Sequence, residues 1–218
     1  MSAEGPLRDG RGPAFELIET MRWEPGKGVA LRALHLDRLT GSAAELGFAF
    51  HPAAFQEKLA AISAATDQRV RMALASDGAL AMTREAFALQ RSDTIWTLRL
   101  AGTRLNSADP QLRHKTSARD VYAAARAEYT VSEAAEVILL NERDEICEGT
   151  ITNVFVERDG LLLTPPLSCG LLAGVLRRHL LETGRAREAI LTREDLLHAG
   201  NVFVGNALRG LIRGRLLF

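Results

Sequence analysis

Apolar and polar residues alternate along FELIETMRW, residues 15–23, and this period of two predicts a strand. The turn-forming run EPGKG at 24–28 follows, and VALR at 29–32 reads as the second strand of a hairpin. From His35 to Leu46 the period lengthens. Leu36, Leu39, Ala43 and Leu46 share one helical face, and Gly47 is the stop. Residues 52–64 give a second amphipathic helix. VRMALAS (70–76), GALAMTR (78–84), EAFALQR (85–91) and IWTLRLA (95–101) read as successive strands.

Loop composition in GTRLNSADPQLRH, 102–114, marks a lobe boundary. A smaller α+β lobe, 1–104, is expected ahead of a larger lobe, 105–218. The second half predicts a helix over 117–129 and strands over 136–142, 152–157 and 160–165, with turns at 142–145 and 158–160. A helix is expected to start after Gly174 and run to Glu182, and strands near 201–205 and 208–213 end the pattern. Strands and helices do not alternate regularly, so the expected class is α+β and not a doubly wound parallel sheet.

Composition narrows the function. Lys+Arg and Asp+Glu are both 27 in 218 residues, so no electrostatic drive toward nucleic acid or an anionic membrane is expected. Apolar runs are too short to span a bilayer, and the polar start MSAEGPLRDGRGPAFE lacks the apolar stretch of a secretory signal. A cytoplasmic protein is the expectation. Cys147 and Cys169 form no CxxC pair, and the five histidines are scattered, so neither a disulfide framework nor a metal site is expected. Cys147 reads as a small buried residue and not as a nucleophile.

Only three of the 27 basic residues are lysines: Lys27, Lys58 and Lys115. Arginine cannot form an imine or act as an amine base at neutral pH, and lysine can. Lys27 in a Gly/Pro turn and Lys58 on a helix face suit solvated surface charges. Composition alone does not separate Lys115, in LRHKTSARD, from them.

The residues that follow set Lys115 apart. The chain supplies Glu148-Gly149-Thr150-Ile151-Thr152-Asn153, then Thr164-Pro165-Pro166, then Gly174-Val175-Leu176-Arg177 opening a helix. His35-Leu36-Asp37-Arg38-Leu39 lies upstream, and Gly205-Asn206-Ala207-Leu208-Arg209-Gly210 downstream. Each block is weak alone. In this order they resemble the class-IV aminotransferases and aminodeoxychorismate lyases over nearly the whole chain.

The resemblance implies a two-lobe fold and pyridoxal 5′-phosphate held as an imine on Lys115. It places Glu148 against the pyridine nitrogen and Arg38 on the phosphate. It adds Asn153, the backbone N–H groups of Val175 and Leu176, and Asn206 to the cofactor site, and it implies a homodimer. Arg71 and Arg209 are candidates for substrate carboxylates. Tyr122 and His114 flank Lys115 and are candidates for tuning its proton transfers. Gly149 after Glu148 suits close approach of backbone to a flat ring.

Lyase and transaminase chemistry begin alike. FELIETMRW, HKTSARDVY and the 148–174 region are most similar to lyase-type members, which cleave 4-amino-4-deoxychorismate to 4-aminobenzoate and pyruvate. Branched-chain enzymes usually carry Tyr five residues after the lysine, and here that position is Asp120. An aminotransferase acting on branched-chain or D-amino acids is the alternative. A non-catalytic assembly subunit with the same fold is the alternative of another class.

Overall fold

The computed structural model describes residues 15–217. The stretch read for a leader therefore lies outside the described residues up to residue 14. In chain order the elements are β1 Leu17–Glu24, β2 Gly28–Val29, α1 Arg32–Leu46, α2 Pro52–Ala60, β3 Gln68–Leu74, β4 Leu80–Ala86 and β5 Ile95–Leu105. Then come α3 Asp120–Ala127, β6 Glu136–Asn141, β7 Ile146–Gly149, β8 Asn153–Arg158 and β9 Leu161–Thr164. The last are α4 Val175–Glu182, β10 Ala186–Glu188, α5 Arg193–His198, β11 Asn201–Asn206 and β12 Gly210–Leu216. The fold is the expected mixture of helix and sheet.

The first sheet has the order β2-β1-β3-β4. Leu17, Met21 and Trp23 of β1 and Val70, Met72 and Leu74 of β3 pack against Leu39, Ala43, Phe55 and Leu59 of the two helices. The second sheet has the order β10-β9-β8-β11-β12-β5-β6-β7, and a further β8–β7 pairing closes it back on itself. That closure is made where Glu148 faces Asn153, so residues 150–152 form a tight turn between two strands of the ring. β12–β5 and β5–β6 are parallel, and β8–β11 and β6–β7 are antiparallel, so the sheet is mixed.

Several expectations shift. The second strand of the first hairpin shrinks to Gly28–Val29, because Leu31 takes a left-handed conformation (φ 54°) and turns the chain into α1. EAFALQR does not form its own strand. Its first two residues end β4, an edge strand, and 87–94 has no partner strand. β5 runs through the start of the expected loop to Leu105 and belongs to the second sheet. The change of sheet therefore falls between Ala86 and Ile95.

Candidate active site

A cavity of about 440 Å³ opens between the two sheets, and it is built around Lys115. The lysine lies on no helix or strand, yet its backbone is fixed. Ile18 N–H donates to the Lys115 carbonyl (2.8 Å), and Ser117 N–H donates to the Glu16 carbonyl (2.9 Å). Strand β1 thus carries the Lys115 segment alongside it. Burial, then the charges of Arg38 and Arg119, lower the amine from 10.5 to about 8, against Glu19 and Glu148. His114 is buried beside it, with Nδ1 2.9 Å from Ser42 Oγ on α1.

Glu148, on β7, forms the opposite wall. Its Oε1 accepts from the Tyr122 hydroxyl (2.7 Å) and from Leu172 N–H (3.1 Å). Its Oε2 has no partner among the described residues. Burial raises this carboxyl from 4.5 to about 7, although Tyr122, Leu172 N–H, Arg119 and Lys115 all pull it down. The loop after it is organised by a second carboxylate. Buried Glu136 accepts from Val137, Thr150 and Ile151 N–H and from the hydroxyls of Thr150 and Thr152. Gly149 serves that hub, since a Cβ there would lie 2.5 Å from Thr152 Oγ1 and 2.8 Å from Glu136 Cδ. Its missing side chain makes room for Glu136.

A third wall is suited to an anion. Arg38 Nε and Nη2 donate to the two oxygens of Glu19 (2.8 and 2.6 Å), and Nη1 reaches the Ala173 carbonyl at 3.4 Å. His35 Nδ1 lies 2.6 Å from the same carboxylate. Burial would raise Glu19, but the charge of Arg38 and the bonds from His35 and Arg38 outweigh it and hold the carboxyl at about 2. The guanidinium therefore sits on a buried anchor beside the start of α4. That helix begins with no side-chain cap, so its first N–H groups are unsatisfied and carry the positive end of the helix dipole. Asn153 fixes the turn before it by donating to the Leu172 carbonyl (3.1 Å).

Arginines line the remaining side. Arg71 on β3 is half-buried and has no hydrogen-bond partner among the described residues. Arg69, two residues away on the same strand face, pairs with Glu85 at 2.9 Å. Arg209 lies over the rings of Phe87 and Trp96, 5.5 and 5.7 Å from their centroids. Burial and then the charge of Arg69 lower its pKa.

A family model described as amino-transferase class IV matches residues 16–217. The chain belongs to the class IV aminotransferase family. Members of this family depend on pyridoxal phosphate. A provisionally named aminodeoxychorismate lyase of Schizosaccharomyces pombe is 30% identical over 192 residues, 84% of this chain and 82% of that protein. A crystal structure of a provisionally named amino-acid aminotransferase from Mesorhizobium loti superposes with a TM-score of 0.91 at 54% identity, covering 93% of this chain and 100% of that one. The 4-amino-4-deoxychorismate lyase of Pseudomonas aeruginosa shares the fold, with a TM-score of 0.77 at 23% identity, covering 100% of this chain and 88% of that one.

Of the residues expected at a class IV site, Arg38, Arg71, Lys115, Glu148, Asn153, Val175, Asn206 and Arg209 all line the cavity. Leu176 does not. Its side chain packs with Phe155 and Leu180. Asn206 spends its amide as a brace, donating to the Ile151 carbonyl (3.1 Å) and accepting from Arg209 N–H (3.0 Å). Cys147 is buried, its thiol is pushed up by desolvation, and it donates to the Cys169 carbonyl (3.1 Å). Among the described residues no cluster suits a metal, and no helix is long and apolar enough to cross a membrane.

Glu19, His35, Arg69, Arg119 and Glu136 were not anticipated. Glu19 had a signal, because it lies in register with Leu17, Met21 and Trp23 on the apolar face of β1. Glu136 at the head of an apolar strand had none.

Proposed function

We propose that the cavity holds pyridoxal phosphate on Lys115, and that the enzyme cleaves 4-amino-4-deoxychorismate to 4-aminobenzoate and pyruvate. When bound, the cofactor supplies an electron sink that lets the amine-bearing carbon of a substrate release a proton. Glu148 supports this reading with its free oxygen. A desolvated carboxylate with Oε2 unpartnered lacks one donor, and a ring N–H is that donor. Arg38 and the N–H groups of Val175 and Leu176 bind the phosphate, with Glu19 orienting Arg38. Lys115 Nζ binds the aldehyde and moves the substrate proton, and an amine near 8 exchanges protons readily at neutral pH. The Tyr122 hydroxyl holds Glu148 in place.

The observation that carries the choice of substrate is the unpaired Arg71 with Arg69 and Arg209 beside it. A branched aliphatic side chain wants apolar walls, whereas a substrate with two carboxylates matches guanidinium groups. The test is an assay with enzymatically generated aminodeoxychorismate, run beside amino acids with 2-oxoglutarate or pyruvate. Equal amounts of 4-aminobenzoate and pyruvate are expected. Rapid transamination without 4-aminobenzoate would instead establish an amino-acid aminotransferase, the reading that the 54% identity to the Mesorhizobium loti protein favours. The homodimer belongs to the same proposal.

A further inference from the structure

We propose that Arg119 is a further cofactor-contacting residue, whose guanidinium binds the phenolate oxygen that pyridoxal phosphate carries beside its aldehyde. The proposal rests on the cofactor reading above. Arg119 occupies the cap position of α3 and lines the cavity. Two contacts fix it, and neither is an anion. Nη2 donates to the Thr150 carbonyl, and the guanidinium carbon lies 4.3 Å from the centre of the Tyr122 ring. Nε and Nη1 have no partner among the described residues, and neither is sealed from solvent space. A half-buried guanidinium with two nitrogens left free and no counterion among the described residues is open to an anionic ligand atom.

The chemistry of the ring says which ligand atom does so. The aldehyde carbon meets Lys115, and the nitrogen across the ring meets Glu148. Two edges join those positions: one bears the phosphate arm and the other the phenolate. Arg38, with Glu19 and α4, takes the phosphate edge. Arg119 is tied to Thr150, two residues past Glu148, and to Tyr122, whose hydroxyl holds Glu148, whereas Arg38 is tied to Glu19 and to the Ala173 carbonyl just before α4. The two guanidinium groups therefore stand on different walls of the cavity, Arg119 beside Glu148 and Arg38 beside α4. Two other groups around Lys115 are committed, Tyr122 to Glu148 and His114 to Ser42, whereas His35 is bound to Glu19 through Nδ1 and its buried Nε2 has no partner among the described residues. Asp120, at the position where branched-chain relatives carry Tyr, is exposed on α3.

The experiment compares two ligands on the cofactor-free protein: pyridoxal phosphate and its 3-O-methyl ether, which keeps the aldehyde, ring nitrogen and phosphate but lacks the anionic oxygen. Affinities are read by absorbance titration on wild type, Arg119→Gln and Arg119→Lys. Loss of a charge-assisted contact predicts an affinity for pyridoxal phosphate about ten- to a hundredfold weaker in Arg119→Gln, with little change for the ether. Arg119→Lys, which keeps the cation, should recover part of the difference. General loosening of the cavity cancels in the ratio of the two ligands. Equal losses for both ligands, or none, would overturn the role of Arg119. If wild type binds neither ligand and borohydride fixes nothing to Lys115, the cofactor reading fails, and the proposal falls with it.

Discussion

Two buried carboxylates at this site titrate in opposite directions, and that opposition can be tested residue by residue. Glu19 is held at about 2 against an ordinary 4.5. Its folded value is depressed, so its contribution is present above 4.5 and is lost as pH falls toward 2. Glu19→Ala leaves Arg38 and His35 without their counterion and should cost about 3–5 kcal/mol at pH 7. Thermal melts from pH 3 to 7 should show wild type falling toward the mutant on the acid side. Glu148 is raised to about 7, so its stability is present in full below 4.5 and is lost as pH rises to 7. Glu148→Gln should therefore stabilise the cofactor-free protein at pH 8 by on the order of 3 kcal/mol and change little at pH 4. Equal melting temperatures at pH 8 would show that Glu148 is not desolvated as described. At this scale the sequence revealed the groups with a distinctive chemistry or block, such as Lys115, Glu148 and Arg38. It hid groups defined by partners far along the chain, such as Arg119 on Thr150 and Glu136 on Thr152.

Elements with local signals were legible, and those held by distant partners were not. Asp159 and Gly160, with φ of 52° and 75°, make a two-residue turn between β8 and β9 within the expected 158–160. The helix opening after Gly174 begins at Val175 as the pattern implied. β10 is three residues long and, among the described residues, pairs only with β9, too short for any periodicity to register. α5 was missed although Thr192 and Asp195 form a reciprocal capping box at its start. Thr192→Ala should cost about 1 kcal/mol and lower the melting point by about 2–4 °C without changing cofactor affinity. A substitution at the start of α4 should behave differently. A Cβ on Gly174 would lie 1.8 Å from Asn153 Oδ1, so Gly174→Ala must push aside the Asn153 amide that braces the turn before the helix. It should fail to retain pyridoxal phosphate at concentrations that saturate wild type, and adding Asn153→Ala should restore part of the binding. Full retention in the single mutant would mean that this turn does not hold the phosphate.

At the scale of the molecule, the cavity exists because two sheets meet along the Lys115 segment. β1 of the first sheet pairs with that segment, while Glu148 and the loop after it come from the ring closure of the second. The alternation of apolar residues told which strands exist. It did not give their order, because β8 lies between β9 and β11, and β5 between β12 and β6. Nor does periodicity say how many copies associate. Light scattering should return twice the 23.8 kDa chain mass if the homodimer forms, and the single chain mass if it does not. Of the three lysines, Lys115 is the one proposed to carry the cofactor in this cavity. The direct measurement is to load the protein with pyridoxal phosphate, reduce it with borohydride, digest it and map the modified peptide by mass spectrometry. A phosphopyridoxyl group is expected on Lys115 alone, and none anywhere in Lys115→Ala. Modification of Lys27 or Lys58 instead, or an unmodified Lys115 peptide from saturated protein, would contradict it.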